Sequence, residues 1–404
     1  MNFLPFLSGL AAPNDLWSIL IGWIRGGVGN LGWTILLVTV LVKAITLPLD
    51  FMSKFTQKKQ NLVQQKCAPE LAKLQRKFGN DKQRLQVQTN ALYKREGLKM
   101  GTGCIVMLVN MVLTMVIFFT FFGSLRDMSA YEAITQYEKV ESAYTTTFYN
   151  SMIEEYAELN TTEEVEIWIE QYQNESKYLE ANPGAAADAW AAFVETNKPT
   201  VDAITEKASN AAVDTWNENK ATWLWVKNIW VADATTSPFP NYSELVKMAN
   251  NAGKEYKSYV EANIKEGNYN QIAGLIQTNE TKNNGFYILA IIIGLTTYAT
   301  QLIADLHNKL KNKNANLVSK QANQQSAMSL KMMKIILPII MIMFALTSSA
   351  SFGIYLLASN VAAIAFGEIT TLIVNSMTRK QQQEVEAVLE KEALRLMKKG
   401  KLQG

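Results

Sequence analysis

Apolar residues along this chain gather into blocks, and the charges lie between them. A helix that crosses a bilayer needs about 20 mostly apolar residues, and five stretches come close: 32–53, 104–125, 285–306, 335–350 and 352–375. The fourth is short. Pro338 falls in its first turn, where a missing backbone N–H does no harm, and Thr347, Ser348 and Ser349 mark its far end, which predicts a very tight turn into the fifth. Residues 1–31 read differently: Asp15 is placed to cap the run LWSILIGWIRGG, whose Trp17 and Trp23 suit the headgroup level. That pattern predicts an amphipathic helix lying on the membrane. Residues 1–13 are apolar but have neither a basic leading region nor a small-residue cleavage site, so they are not expected to be a removed signal peptide.

The polar stretches carry their own periodicity. Within 54–100, Val63, Cys67, Leu71, Leu74 and Phe78 recur at helical steps, Gly79, Asn80 and Asp81 break the run, and Leu85 and Leu92 resume it. An antiparallel helical hairpin with an apolar seam and basic outer faces is expected. The long stretch 126–284 is rich in Ala, Asn, Tyr and Trp and contains helix starts such as Thr161 with Glu164, so it is read as an added, mostly helical domain. A loop at 307–334 and a basic tail at 376–404 complete the chain.

Charge then fixes an orientation. Residues 54–99 hold 12 Lys and Arg against 3 acids, whereas 127–282 hold 25 acids against 11 Lys. The positive-inside rule places the hairpin in the cytoplasm, the acidic stretch outside, and the loop with Lys309, Lys311 and Lys313 inside again. Five spans leave the N-terminus outside and the tail, ending RLMKKGKLQG, in the cytoplasm of a bacterial cell. Sequons at Asn160, Asn174, Asn241 and Asn279 are not expected to be glycosylated there. Cys67 and Cys104 are read as reduced thiols, and His307, which has no metal-binding companion, as an interfacial residue.

The spans contain groups that hydrocarbon does not tolerate alone. Lys43 stands near the middle of the first, where a lysine costs roughly 2.5–3.5 kcal/mol on the insertion scale. Either a pairing with Glu368 of the fifth span or a water-filled cavity facing Lys43 offsets that cost. Thr39, Asn110, Thr114, Thr296, Thr297, Gln301, Ser359 and Asn360 add to the count, and Asn110, Gln301 and Asn360 each need a partner or water. A hydrophilic groove inside the bilayer follows, with Lys43, Thr39, Asn110, Thr114, Gln301, Ser359 and Asn360 as its candidate client-binding residues. A nucleotide loop, a dinucleotide-binding glycine pattern, a nucleophile elbow and a metal-spaced Cys or His cluster are all missing, so the reading is of a non-enzyme without cofactor or metal.

The order of these parts resembles the YidC insertase family, through VLVKAITLPL, CAPELAKLQRKFGNDKQRLQVQTNALYKREG and GTGCIVMLVNM, then IGLTTYATQ, Pro338 and GIYLLASN. The resemblance covers the membrane core and the hairpin. It extends to WLWVKNIWVAD at 223–233, which looks like the short amphipathic segment after the family's second core span and divides the added material into insertions at about 128–221 and 241–283. Lys43 stands where the family pattern has arginine, Asn110 where glutamine is usual, and Val112 where proline is usual.

The resemblance implies an all-α membrane bundle with a groove open to the cytoplasm and to lipid. It also implies membrane protein insertion without nucleotide hydrolysis, nascent membrane proteins as clients, and a ribosome met by the hairpin and the tail. Lipids, and a Sec-type translocon as a further partner, belong to the same picture, with a monomer as the default state. A small-solute transporter or channel with Lys43 as an anion site is the rival reading, and an adhesion or receptor protein anchored by the bundle is a second.

Overall fold

The computed structural model describes residues 10–97, 100–186, 188–279, 283–311 and 324–398. Residues 1–9, Lys313 and the end of the basic tail lie outside them, as do the side chains of Cys104, His307, Lys309 and Lys311. The chain is all-α, and among the described residues the one pairing of β type is an isolated bridge between Trp223 and Val226. It forms two compact units, an inserted unit (Met1–Ser18 and Ser124–Phe286) and a membrane unit (Ile19–Gly123 and Tyr287–Gly404).

Asp15 starts helix α1 (Leu16–Val28) as its spacing predicts, accepting from Trp17 N at 2.9 Å and Ser18 N at 3.3 Å. Gly29 ends it with a φ of 77°, a conformation that favours glycine. The helix is two-faced: Ile21 is fully buried and Trp23 is 80% exposed.

Asn30 caps α2 (Leu31–Phe78), which carries the first apolar block without a break into the first arm of the hairpin. Pro48 and Pro69 are accommodated within its 48 residues. The second arm is α3 (Lys82–Arg95), capped by Asp81. Cys67 and Leu92 are buried between the arms, while Lys66–Glu96 at 2.8 Å and Arg95–Glu70 at 2.6 Å bridge them at the surface. Exposed ion pairs of this kind contribute little, so the apolar seam holds the hairpin. Burial in that seam pushes the free Cys67 thiol up, which keeps it protonated.

Helix α4 (Met100–Glu155) is 56 residues long and contributes to both units. In the inserted unit it is joined by α5 (Thr162–Gln173), α6 (Glu175–Ala181), α7 (Ala189–Asn219), α8 (Tyr242–Ala252), α9 (Lys254–Asn263) and α10 (Glu266–Asn279). Thr161 and Glu164 form the capping box that their spacing predicts. Two of the sequon asparagines have a structural use: Asn174 caps α6, and Asn241 caps α8.

Aromatic residues fill the core of this unit. Tyr137 lies 4.6 Å from Tyr269 and Trp216 lies 5.1 Å from Phe239, as ring centroids. A second cluster packs Trp168 against Tyr156 and Phe193, beside Met152 and Val165. Residues 223–233, which resemble a short amphipathic segment in sequence, form an irregular loop with Trp223, Val226, Trp230 and Val231 buried. Its backbone is held by side chains: Asn228 donates to Gln136 Oε1 and Pro238 O, both at 3.0 Å, and Asn284 donates to Asn228 O at 2.8 Å. Asparagine amides that satisfy buried backbone in this way favour loop over helix.

In the membrane unit, α11 (Ile288–Lys311) and α12 (Gln324–Thr347) pack together, and α13 (Ala350–Lys398) lies along α2. Helix α12 begins well before the expected span, so Pro338 sits inside it and not in its first turn; the polar residues from Gln324 onward extend the helix. Only Ser348 and Ser349 separate α12 from α13. The tail continues α13 and packs on the hairpin arm: Val385 and Leu389 bury themselves against Leu62, and Glu392 approaches Lys73 at 3.9 Å. Among the described residues, three helices are long and apolar enough to cross a membrane, Leu31–Phe78, Ile105–Glu155 and Ala350–Arg395; Ile288–Ile303 and Lys334–Thr347 are shorter apolar stretches.

Asn360 fastens α13 to α11, donating to Thr297 Oγ1 at 2.8 Å and Thr296 Oγ1 at 3.1 Å. Asn360→Ala should lower the unfolding free energy by about 1 kcal/mol, read by unfolding the purified protein in bicelles; unchanged stability would contradict the clamp. A second expectation concerns the inserted unit, where Tyr259 donates to Glu138 and Tyr137 to Glu141 at 2.7 Å. Burial raises both carboxyl groups above their ordinary range, although the tyrosine hydrogen bonds oppose it. The folded protein therefore keeps these protons to higher pH than the unfolded chain, and its stability falls as pH rises through that raised range. Thermal unfolding followed by tryptophan fluorescence should show this slope, and the Glu138→Gln/Glu141→Gln double variant should flatten it; an identical slope in the variant would contradict the assignment.

Candidate functional site

Along α2, positions 39, 43, 46, 50, 54, 57 and 61 recur at helical steps of three and four, so one face of this helix carries a polar series from Thr39 to Asn61. That face forms one wall of a cavity of about 640 Å³. Asn110, Thr114 and Ile117 of α4, Thr300 and Ile303 of α11, and Tyr355 to Asn375 of α13 supply the rest of the lining. Lys43 lies about 16 Å along the axis from the start of the apolar block, half of a hydrocarbon layer about 30 Å thick. The lining continues beyond the block to Gln57, Lys58 and Asn61, toward the hairpin arm.

Aromatic rings fill the space where α4 meets α13. Phe122 packs edge-on against Phe352 with centroids 4.5 Å apart, Phe121 lies 4.7 Å from Tyr355, and Phe118 reaches both Phe352 and Tyr355. Phe121 and Phe352 are each 1% exposed. Tyr355 belongs both to this cluster and to the cavity lining, so the cavity ends against packed rings on that side.

The polar groups of the wall are arranged in pairs. Asn110 donates to Asp50 Oδ1 at 3.1 Å, tying α4 to α2, and Lys54 donates to Gly367 O at 3.1 Å, tying α2 to α13. Gly367 permits this approach, because a Cβ there would stand 3.3 Å from Lys54 Nζ. Thr39 and Thr114 return their hydroxyl protons to Ile35 O and Asn110 O, leaving oxygen lone pairs on the wall. Asp50 acts electrostatically on both Lys43 and Lys54, and Glu368 acts on Lys54. Lys43, Asp50 and Glu368 all line the same cavity.

Of the seven candidate residues, Thr39, Lys43, Asn110 and Thr114 line this cavity. Gln301, Ser359 and Asn360 are not among its lining residues; Asn360 is turned to α11, and Gln301 Nε2 is buried without a hydrogen-bond partner. Asp50, Lys54 and Lys58 escape a search for polar residues inside apolar blocks because they stand at or past the block's end. Their signal is the spacing 43, 50, 54 and 58 on one helical face. Among the described residues no group of His, Cys, Asp and Glu is arranged to hold a metal ion.

Residues 23–182 match the family of the 60Kd inner membrane protein. The membrane protein insertase YidC of Aromatoleum aromaticum is 31% identical over 125 residues, covering 31% of this chain and 22% of that protein. The YidC of Jannaschia sp. is 35% identical over 122 residues, covering 28% and 19%, and that of Fusobacterium nucleatum is 38% identical over 100 residues, covering 25% and 45%. The match thus spans less than half the length of each of these curated relatives. No solved structure matches the chain. The family match at residues 23–182 takes in the first membrane block and the hairpin, so this part of the chain is similar to the 60Kd inner membrane protein family, to which relatives named YidC add their 31–38% identity.

Proposed function

We propose that this protein is a membrane protein insertase whose cavity receives the polar N-terminal tail or short loop of a client while the client's apolar segment enters lipid. The observation that carries this reading is a charged cavity at mid-span depth around Lys43, ended by packed aromatic rings on one side and continuing toward the basic hairpin on the other. A polar tail in hydrocarbon leaves its hydrogen-bonding groups unsatisfied, at several kcal/mol per group. In the cavity, water and the side chains of Lys43, Thr39, Asn110 and Thr114 satisfy them. Asn360 serves the reading indirectly by holding the wall helices together, and Gln301 and Ser359 are not part of the lining.

Transfer of the client's apolar helix into lipid supplies the driving force, so no nucleotide is consumed. Its exit runs along exposed apolar residues such as Met107, Met115 and Phe119 of α4 and Ile335, Ile339 and Met343 of α12. Methionines make that surface adaptable to different clients. The charge split places the hairpin and the tail helix in the cytoplasm and the N-terminus and inserted unit outside the cell. In the cytoplasm the exposed Lys and Arg of the hairpin meet the ribosome, whose RNA binds basic surfaces. A Sec-type translocon is a further partner for clients with large polar domains, and the core acts as a monomer.

The test compares Lys43→Leu and Lys43→Arg for insertion of a client with an acidic tail, scored by protease protection in proteoliposomes. Lys43→Leu should cut insertion on the order of tenfold, and Lys43→Arg should retain most of it. Wild-type insertion by Lys43→Leu would contradict the reading. Loss of small-anion flux in that variant with insertion intact would favour the transporter.

A further inference from the structure

Asp50 is the least expected group in the cavity, because an insertion groove built to attract acidic tails has no need of an acid beside its lysine. It stands on the same face of α2 as Lys43 and Lys54, seven residues after the first and four before the second. Seven residues are two turns, about 10 Å along the axis. Asp50 is half-buried, held in place by the amide of Asn110 at 3.1 Å, and acts on both lysines electrostatically. Lys54 has further partners in Gly367 O and Glu368. Asp50 shares the cavity lining with Lys43 and acts on it electrostatically.

We infer that Asp50 is a specificity-determining residue of the groove, a built-in counter-anion that holds the attraction of Lys43 in check and sets which client tails are admitted. The inference rests on the insertase reading. An incoming carboxylate meets Lys43 but is repelled by Asp50, and in a partly dehydrated cavity both interactions are stronger than in water. An uncharged tail feels neither, and a basic tail meets an anion as well as a cation. The resident acid therefore narrows the difference between acidic and basic tails that Lys43 alone would create. Asn110 contributes by fixing where that negative charge lies.

The test uses the full chain in proteoliposomes and three clients that differ only in an acidic, basic or uncharged N-terminal tail. Asp50→Asn removes the charge and keeps an oxygen that accepts from Asn110, so the wall contact survives. The ratio of acidic-tail to basic-tail insertion should rise on the order of threefold to tenfold in Asp50→Asn. It should stay at the wild-type value in Asp50→Glu, and the rise should vanish in the Lys43→Gln/Asp50→Asn double variant. An unchanged ratio in Asp50→Asn, or an equal gain or loss for all three tails, overturns the assignment while leaving the insertase reading standing. Wild-type protein that inserts no client above protein-free liposomes overturns the insertase reading, and the role of Asp50 with it.

Discussion

A charged lysine at the middle of a hydrocarbon layer costs roughly 2.5–3.5 kcal/mol on the insertion scale, and much of the membrane unit can be understood as what makes Lys43 tolerable. Its face of α2 is polar over six helical turns, its cavity is wide enough for water, and Asp50 supplies an opposing charge two turns away. The opposite wall has to stand off from α2 to leave that space. Two polar ties, Asn110 to Asp50 and Lys54 to Gly367 O, bridge the gap without filling it, while the rings of Phe118, Phe121, Phe122, Phe352 and Tyr355 close the packing at one end. Removing the lysine would therefore leave a cavity without its organising charge.

Long unbroken helices are the second theme. Helix α2 is both a wall of the cavity and an arm of the hairpin, and α13 is both a wall and the tail helix that returns to that arm through Val385 and Leu389. A continuous helix transmits rotation and tilt along its length, because its backbone hydrogen bonds form one ladder. The hairpin arm and the tail helix are thus continuous with the two helices that line the cavity around Lys43. Gly367, where Lys54 approaches the backbone of α13, is the point at which these two helices come close beside the cavity.

Periodic, local features were readable in one dimension. Apolar blocks gave the helices of the membrane unit, the break at Gly79 to Asp81 gave the hairpin, and Asp15 and the Thr161/Glu164 pair gave helix starts, because each depends on neighbours a few residues away. Lys43, Thr39, Asn110 and Thr114 were singled out because strongly polar groups in apolar blocks are rare. Partner choice was not readable. Asn360 satisfies itself on Thr296 and Thr297, more than 60 residues away, and no pattern of hydropathy carries that pairing. Asp50 stands in the last turn of a block, where an acid reads as interfacial in sequence. The start of α12 well before Pro338 is not readable for a related reason: the polar residues of its first turns resemble a loop in sequence.

The central claim is that a client's polar segment passes through the cavity around Lys43. Photocrosslinkers placed singly at positions 39, 43 and 110, with the exposed positions 108 and 119 of α4 as controls, test it on ribosome-bound nascent chains carrying a short acidic N-terminal tail. The account predicts strong adducts between the tail and positions 39, 43 and 110, with the controls meeting only the client's apolar segment or lipid. Tail adducts absent from all three cavity positions in folded protein would contradict it.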